Sequence, residues 1–161
     1  MIAINPYDYD KGRGLARGGP VASLVTYASL LPFIGETVTR LRNSVVVGAT
    51  FRGGVAEPDS LPPALAKEMY LVGNRPGHYQ AFLKLLRHGA SWEVAAKDYR
   101  RIEIPALLVW GDRDWSRKEE REHDRALIPG VEMVTVEKGG HFLPLDRPRE
   151  LTELIVRFAR A

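Results

Sequence analysis

Apolar residues follow three different patterns along this chain. At the amino end Ile2, Ala3 and Ile4 form a short unbroken run that Asn5-Pro6 stops, which predicts a strand. Its apolar start, where a terminus is ordinarily polar and frayed, reads as a strand whose preceding partners are missing. From residue 11 to residue 101 the apolar runs are broken by proline and glycine, and the periodic ones are helical. Lys11 to Gly19 is a glycine-rich basic loop. Ser60 before Leu61-Pro62-Pro63 suits a first helical turn, with a helix running on through Met69 and Leu71. Tyr79, Phe82, Leu83 and Leu86 fall at i, i+3, i+4 and i+7 on one face, and Gly89 is placed to cap that helix. No strand pair is visible in this stretch, so it predicts a wholly helical insertion.

The third pattern starts at Ile102. Ile104 to Gly111 is a continuous apolar run, as expected of a strand buried on both faces of a parallel sheet. Ser116-Arg117-Lys118-Glu119 reads as a capping box opening a charged helix through Leu127, and Pro129-Gly130 ends it. Val131 to Val136 predicts a further strand, and Gly139-Gly140-His141 a tight turn. A last helix begins near Asp146 to Pro148, with Leu151, Leu154, Ile155, Phe158 and Ala159 on one stripe. Strand, helix, strand, helix implies an α/β arrangement around a parallel sheet. The expected organisation is a first strand and turn over 1–10, a helical region over 11–101 and an α/β core over 102–161.

Composition narrows the classes. With 161 residues, 45% hydrophobic and 27% charged, the chain has enough apolar material for one core. The absence of cysteine removes disulfides and thiolate metal sites, and fits a reducing cytoplasm, the expected location. The 23 basic and 20 acidic residues are scattered, without the basic stripe that nucleic-acid binding needs. Val21 to Ile34 is too short and too often interrupted to span a bilayer, and the start lacks the pattern of a signal peptide.

Chemistry concentrates in the two turns that follow the predicted carboxy-terminal strands, Gly111-Asp112-Arg113-Asp114 and Gly139-Gly140-His141-Phe142. Ligand groups of open α/β sheets gather at that edge. Neighbouring strands lie about 5 Å apart, so a carboxylate and an imidazole meet there readily. The acid would fix the ring tautomer and stabilise the imidazolium. The other histidines are weaker candidates. His78 and His88 lie at helix ends and suit capping, His123 lies in a charged helix, and no pair has metal-ligand spacing. Tyr70, Tyr79 and Trp92 read as packing residues, while Trp115, beside the acid turn, is open to either role.

"Pro-Ala-Leu-Leu-Val-Trp-Gly-Asp-Arg-Asp" and "Gly-Gly-His-Phe-Leu-Pro-Leu-Asp-Arg-Pro" ahead of an amphipathic helix resemble the acid and histidine loops of α/β-hydrolases. The resemblance implies the carboxy-terminal part of that fold, with a short parallel sheet and residues 11–101 as its cap. It makes Asp114 the acid and His141 the base, with Asp112 as a turn residue. A lesser alternative takes the acid from after the first strand, at Asp8 or Asp10. The family places a nucleophile elbow and oxyanion hole earlier in the chain. None of the six serines, Ser23, Ser29, Ser44, Ser60, Ser91 and Ser116, lies in such an elbow. The implied function is hydrolysis of an ester, epoxide or related bond in a small molecule, without cofactor, by a chain that is a fragment or half of an enzyme. The alternative is a binding or partner-complementing protein derived from a hydrolase. The open edge at Ile2–Asn5 invites self-association or pairing with an amino-terminal half.

Overall fold

The computed structural model describes residues 1–160. Three parallel strands, β1 (Ile2–Ile4), β2 (Leu107–Gly111) and β3 (Glu132–Val136), stand side by side in chain order. Ile2 aligns with Leu107 and Ile4 with Val109, while Leu107 aligns with Glu132 and Gly111 with Val136. Every residue of β2 is buried, as its continuous apolar run requires. As the two outer strands, β1 and β3 are less buried.

Side chains alternate across a strand, so this register sorts the core into two halves. Leu107 and Val109 face one way with Ile2, Ile4 and Val136, and pack on Leu143 and Leu151. Leu108 and Trp110 face the other way with Ala3 and Met133, and pack on Tyr9, Trp115 and Ile128. A fully buried leucine contributes about 2 kcal/mol through the water it sheds.

Residues 20–96 carry six helices: α1 (Pro20–Leu30), α2 (Ile34–Arg40), α3 (Ser44–Arg52), α4 (Pro63–Gly73), α5 (His78–Arg87) and α6 (Ala90–Ala96). Short 3-10 turns at 10–12, 14–18 and 97–101 join them to the sheet, and one at 58–60 lies between α3 and α4. After β2 comes α7 (Lys118–Leu127), and after β3 come α8 (Leu143–Asp146) and α9 (Pro148–Arg160). Leu151 of α9 is buried and Leu154, Ile155 and Phe158 are half-buried on the sheet, whereas Ala159 is exposed at the edge of the stripe. No helix among the described residues is long and apolar enough to cross a membrane.

Two local expectations change. The cap of α5 is His88, whose ring Nδ1 lies 2.8 Å from the Lys84 carbonyl, and not Gly89. Gly89 has a right-handed helical φ of −56° and leads into α6. Glycine stands there because a Cβ would lie 2.2 Å from the Lys11 carbonyl oxygen. At α7 the cap is Arg117, whose backbone N–H donates to the Glu120 carboxylate at 2.6 Å. Ser116 lies outside that box, and its hydroxyl accepts from Arg121.

α1 is amphipathic in an unusual sense. Its inward positions are the small Ala22, Thr26 and Ser29, while Leu24, Tyr27 and the following Leu31 and Phe33 are exposed. The Thr26 hydroxyl donates to the Ala22 carbonyl at 2.7 Å, which satisfies it without a partner helix.

On α7, Asp124 is buried, 3% exposed, and its Oδ2 has no hydrogen-bond partner. Burial, then the nearby carboxylates of Asp8 and Glu120, push its carboxyl up to about 7. A raised acid favours the folded state fully only below its unfolded value, and that advantage is lost as pH rises toward 7. Asp124→Asn should therefore raise the unfolding free energy by roughly a few kcal/mol near pH 8 and by little near pH 4. Urea denaturation of both proteins at the two pH values measures this difference.

Candidate active site

The carboxy ends of the strands meet around Asn5. This residue sits at φ 43°, a left-handed conformation that asparagine tolerates better than most side chains. Its backbone N–H continues the ladder by donating to the Val109 carbonyl at 2.9 Å. Its side-chain Nδ2 donates to the carbonyls of Gly140 and His141, at 3.0 and 2.8 Å, and its Oδ1 accepts from the Gly111 N–H at 2.9 Å. All three side-chain bonds span the turns after β2 and β3. Those turns also touch directly: a Cβ on Gly111 would lie 2.1 Å from the Gly139 carbonyl oxygen. The glycines of the second turn serve close approach, since the left-handed residue before them is Lys138, at φ 54°.

This arrangement sets Asp114 against His141. The carboxylate Oδ2 lies 2.7 Å from the ring Nδ1, with the acid side chain fully enclosed and the ring 15% exposed. The other oxygen, Oδ1, accepts from the Ser116 N–H at 2.7 Å and, more weakly, from the Tyr9 hydroxyl at 3.4 Å. Burial pushes the Asp114 carboxyl up, but the bonds from His141 and Ser116 outweigh it and hold the acid below its ordinary value. Asp114 is thus ionised at neutral pH. An ionised acceptor at Nδ1 selects the tautomer protonated there and leaves Nε2 with its lone pair.

Aromatic rings enclose the imidazole. Trp115 stacks on it with ring centroids 4.0 Å apart and planes 15° from parallel, and Tyr7 meets it edge-on at 5.4 Å. Both assist its orientation by excluding water on those faces. The Trp115 indole N–H donates to the Gly53 carbonyl at 2.7 Å. Residues 53–57 are tied to the two turns at further points. Phe142 N–H donates to the Gly54 carbonyl at 2.8 Å, and the Asp146 carboxylate accepts from Ala56 and Glu57 N–H at 2.9 and 3.2 Å. A third Asp146 contact, to Gly140 N–H at 2.8 Å, closes the histidine turn on itself.

The remaining sequence candidates lie elsewhere. Asp112 is exposed and its Oδ1 accepts from the Gly139 N–H at 3.1 Å, a turn contact. Asp10 pairs with Arg13 and Arg17, and Asp8 lies against Tyr99 and Asp124, so neither replaces Asp114 beside His141. Ser116 turns its hydroxyl to Arg121, and Ser91 turns its own to the His88 carbonyl. Among the described residues His141 has no side-chain hydrogen bond other than that to Asp114. No three acidic or histidine residues among them are grouped to hold a metal. Asn5 and Trp115 are the site residues that sequence reasoning undervalued. An asparagine before proline at a strand end was the available signal for the first. The second stood next to the acid.

Asn5→Ala removes three side-chain bonds, two of them buried, and places an unsuited residue at positive φ. We expect a loss of about 2–4 kcal/mol in urea unfolding. The same variant should shift the His141 Nδ1–H proton resonance, which lies far downfield while the ring donates to Asp114. A resonance unmoved from its wild-type position would show that Asn5 does not hold the histidine turn.

Comparison with known proteins agrees with this geometry. Residues 2–154 match the model of the alpha/beta hydrolase family. Carboxylesterase YbfK of Bacillus subtilis is 26% identical over 81 residues, covering 49% of this chain and 27% of the relative. ABHD14B of Rattus norvegicus is 28% identical over 141 residues, covering 85% and 60%. Among solved structures, Cfl2 from Burkholderia cenocepacia superposes with a TM-score of 0.70 at 20% identity, covering 83% of this chain and 46% of that one. The epoxide hydrolase CorEH gives 0.65 at 19% identity, covering 86% and 50%. The chain therefore spans 60% or less of the length of each of these relatives. With a family match over nearly its whole length and the same fold in its structural neighbours, the chain belongs to the alpha/beta hydrolase family.

Proposed function

We propose that this chain carries the acid and base of a hydrolase that cleaves an ester, epoxide or related bond in a small molecule, with residues 11–101 as the cap over the site. The observation that carries this is the 2.7 Å contact between enclosed Asp114 and His141 on neighbouring turns at one end of the sheet. In this reading Asp114 holds the ring and balances the charge it gains. Nε2 of His141 takes the proton of a hydroxyl nucleophile, or of a water that attacks a covalent ester. Neither route needs a cofactor. The nucleophile and the oxyanion donors come from outside these 161 residues, from further chain or from a second chain. The free side of β1 is the place for a strand that delivers them. Exposed Leu24, Phe33, Leu41 and Val45, on and beside α1 to α3, form separate apolar surface that further chain would remove from water.

Activity and association both test the reading. The isolated chain should show no appreciable turnover of p-nitrophenyl esters or epoxides, since members of a triad act as a unit. Turnover equal to that of a complete esterase, abolished by His141→Ala, would mean that these residues already include a nucleophile. Light scattering should find the isolated chain self-associated, or its thermal melt should depend on concentration. A clean monomer with a cooperative, concentration-independent melt would remove the open edge as a docking site.

A further inference from the structure

A second polar site lies on α7, apart from the Asp114–His141 pair. The loop after β1, α6 and α7 enclose a recess of about 360 Å³. Six of its lining residues are acids: Asp8, Asp10, Glu93, Glu119, Glu120 and Asp124. No lysine or arginine lines it, and His123 is the one other ionisable residue there besides Tyr9. Arg17 approaches from residues 14–18 but is committed to Asp10 and Glu120, at 3.1 and 2.7 Å. Glu93 accepts from the Lys11 backbone N–H.

Two oxygens are left without donors. Asp8 Oδ2 and Asp124 Oδ2 are both enclosed and make no hydrogen bond, and Asp124 is 97% buried. Two carboxylates in one low-dielectric place cannot both ionise unless a positive charge joins them. A shared proton meets that need at low pH, and a cation meets it at higher pH. The choice of cation follows from the donor set. No three-ligand metal group is present among the described residues. An ammonium group brings three N–H donors and asks only for oxygen acceptors. The Tyr9 ring and Ala96 give its alkyl stem an apolar wall. The volume falls in the range of small-molecule sites.

We infer that this recess binds a primary alkylammonium group, held by the carboxylates of Asp8 and Asp124, whose Oδ2 atoms lack donors. Binding displaces the proton that the pair otherwise shares. The groups facing it are Asp8 and Asp10 after β1, Glu93 on α6, Tyr99, Arg17, and Glu119, Glu120 and His123 on α7. Tyr9 joins this recess to the first site, since it lines the recess and its hydroxyl donates to Asp114.

Titration calorimetry on the 161-residue chain tests the inference, with n-butylammonium, tetramethylammonium and magnesium chlorides at matched ionic strength. Butylammonium should bind saturably and more tightly near pH 8 than near pH 6. Asp124→Asn should weaken it about tenfold or more, the loss of one charge-assisted hydrogen bond. Asp8→Asn should do the same, and serves should the first variant misfold. An equal response to tetramethylammonium, which has no N–H, would reduce the effect to charge screening and overturn the site. Tighter binding of magnesium, or butylammonium affinity unchanged in both variants, would overturn it as well. None of these outcomes bears on the hydrolase reading, which rests on Asp114 and His141.

Discussion

Asn5 bonds through one amide to the last residue of β2 and to two carbonyls of the turn after β3. Its backbone carries the β1 ladder one step further, to Val109. Three segments far apart in sequence thus share one short, rigid, fully satisfied polar group. Buried polar groups of this kind cost little when every bond is made and about 1–3 kcal/mol when one is lost. The separation of Asp114 and His141 depends on that group, because each sits within three residues of an Asn5 partner. The stacking of Trp115 then fixes the ring about its remaining freedom.

The sheet was legible because its signal is local. A run such as Ala106–Gly111 has few ways to be satisfied other than as a strand with both faces covered. The spacing of Leu151, Leu154, Ile155 and Phe158 similarly leaves one face for the sheet. The acid and histidine turns could be read because glycines and strand ends mark them. Less was legible in residues 11–101. Whether Gly89 caps α5 or opens α6 is decided by the approach of Lys11, which is 78 positions earlier in the chain. The polar inner face of α1 is invisible to a search for apolar stripes, because Thr26 and Ser29 are buried in place of Leu24 and Tyr27. Asn5 itself reads as a strand terminator until its partners, more than a hundred residues away, are known.

Buried acids in this fold meet opposite fates within a short stretch of chain. Asp114 is enclosed but receives N–H donors from His141 and Ser116, and so remains an anion. Asp124, ten positions on, is enclosed beside other carboxylates with no donor at Oδ2, and so retains a proton to about 7. Burial is common to both. The difference lies in what points at the oxygens, and it separates a group built to hold a fixed charge from one that changes charge near neutral pH.

The fastening of residues 53–57 to Trp115, Phe142 and Asp146 has a consequence for the timescale of access. A segment bonded to both turns cannot swing away there without pulling on the groups that hold His141. Slow, large-amplitude opening at that seam, of the microsecond-to-millisecond kind, would dismantle the arrangement around His141. Displacements that leave residues 53–57 in place keep these bonds, and with them the setting of His141, intact.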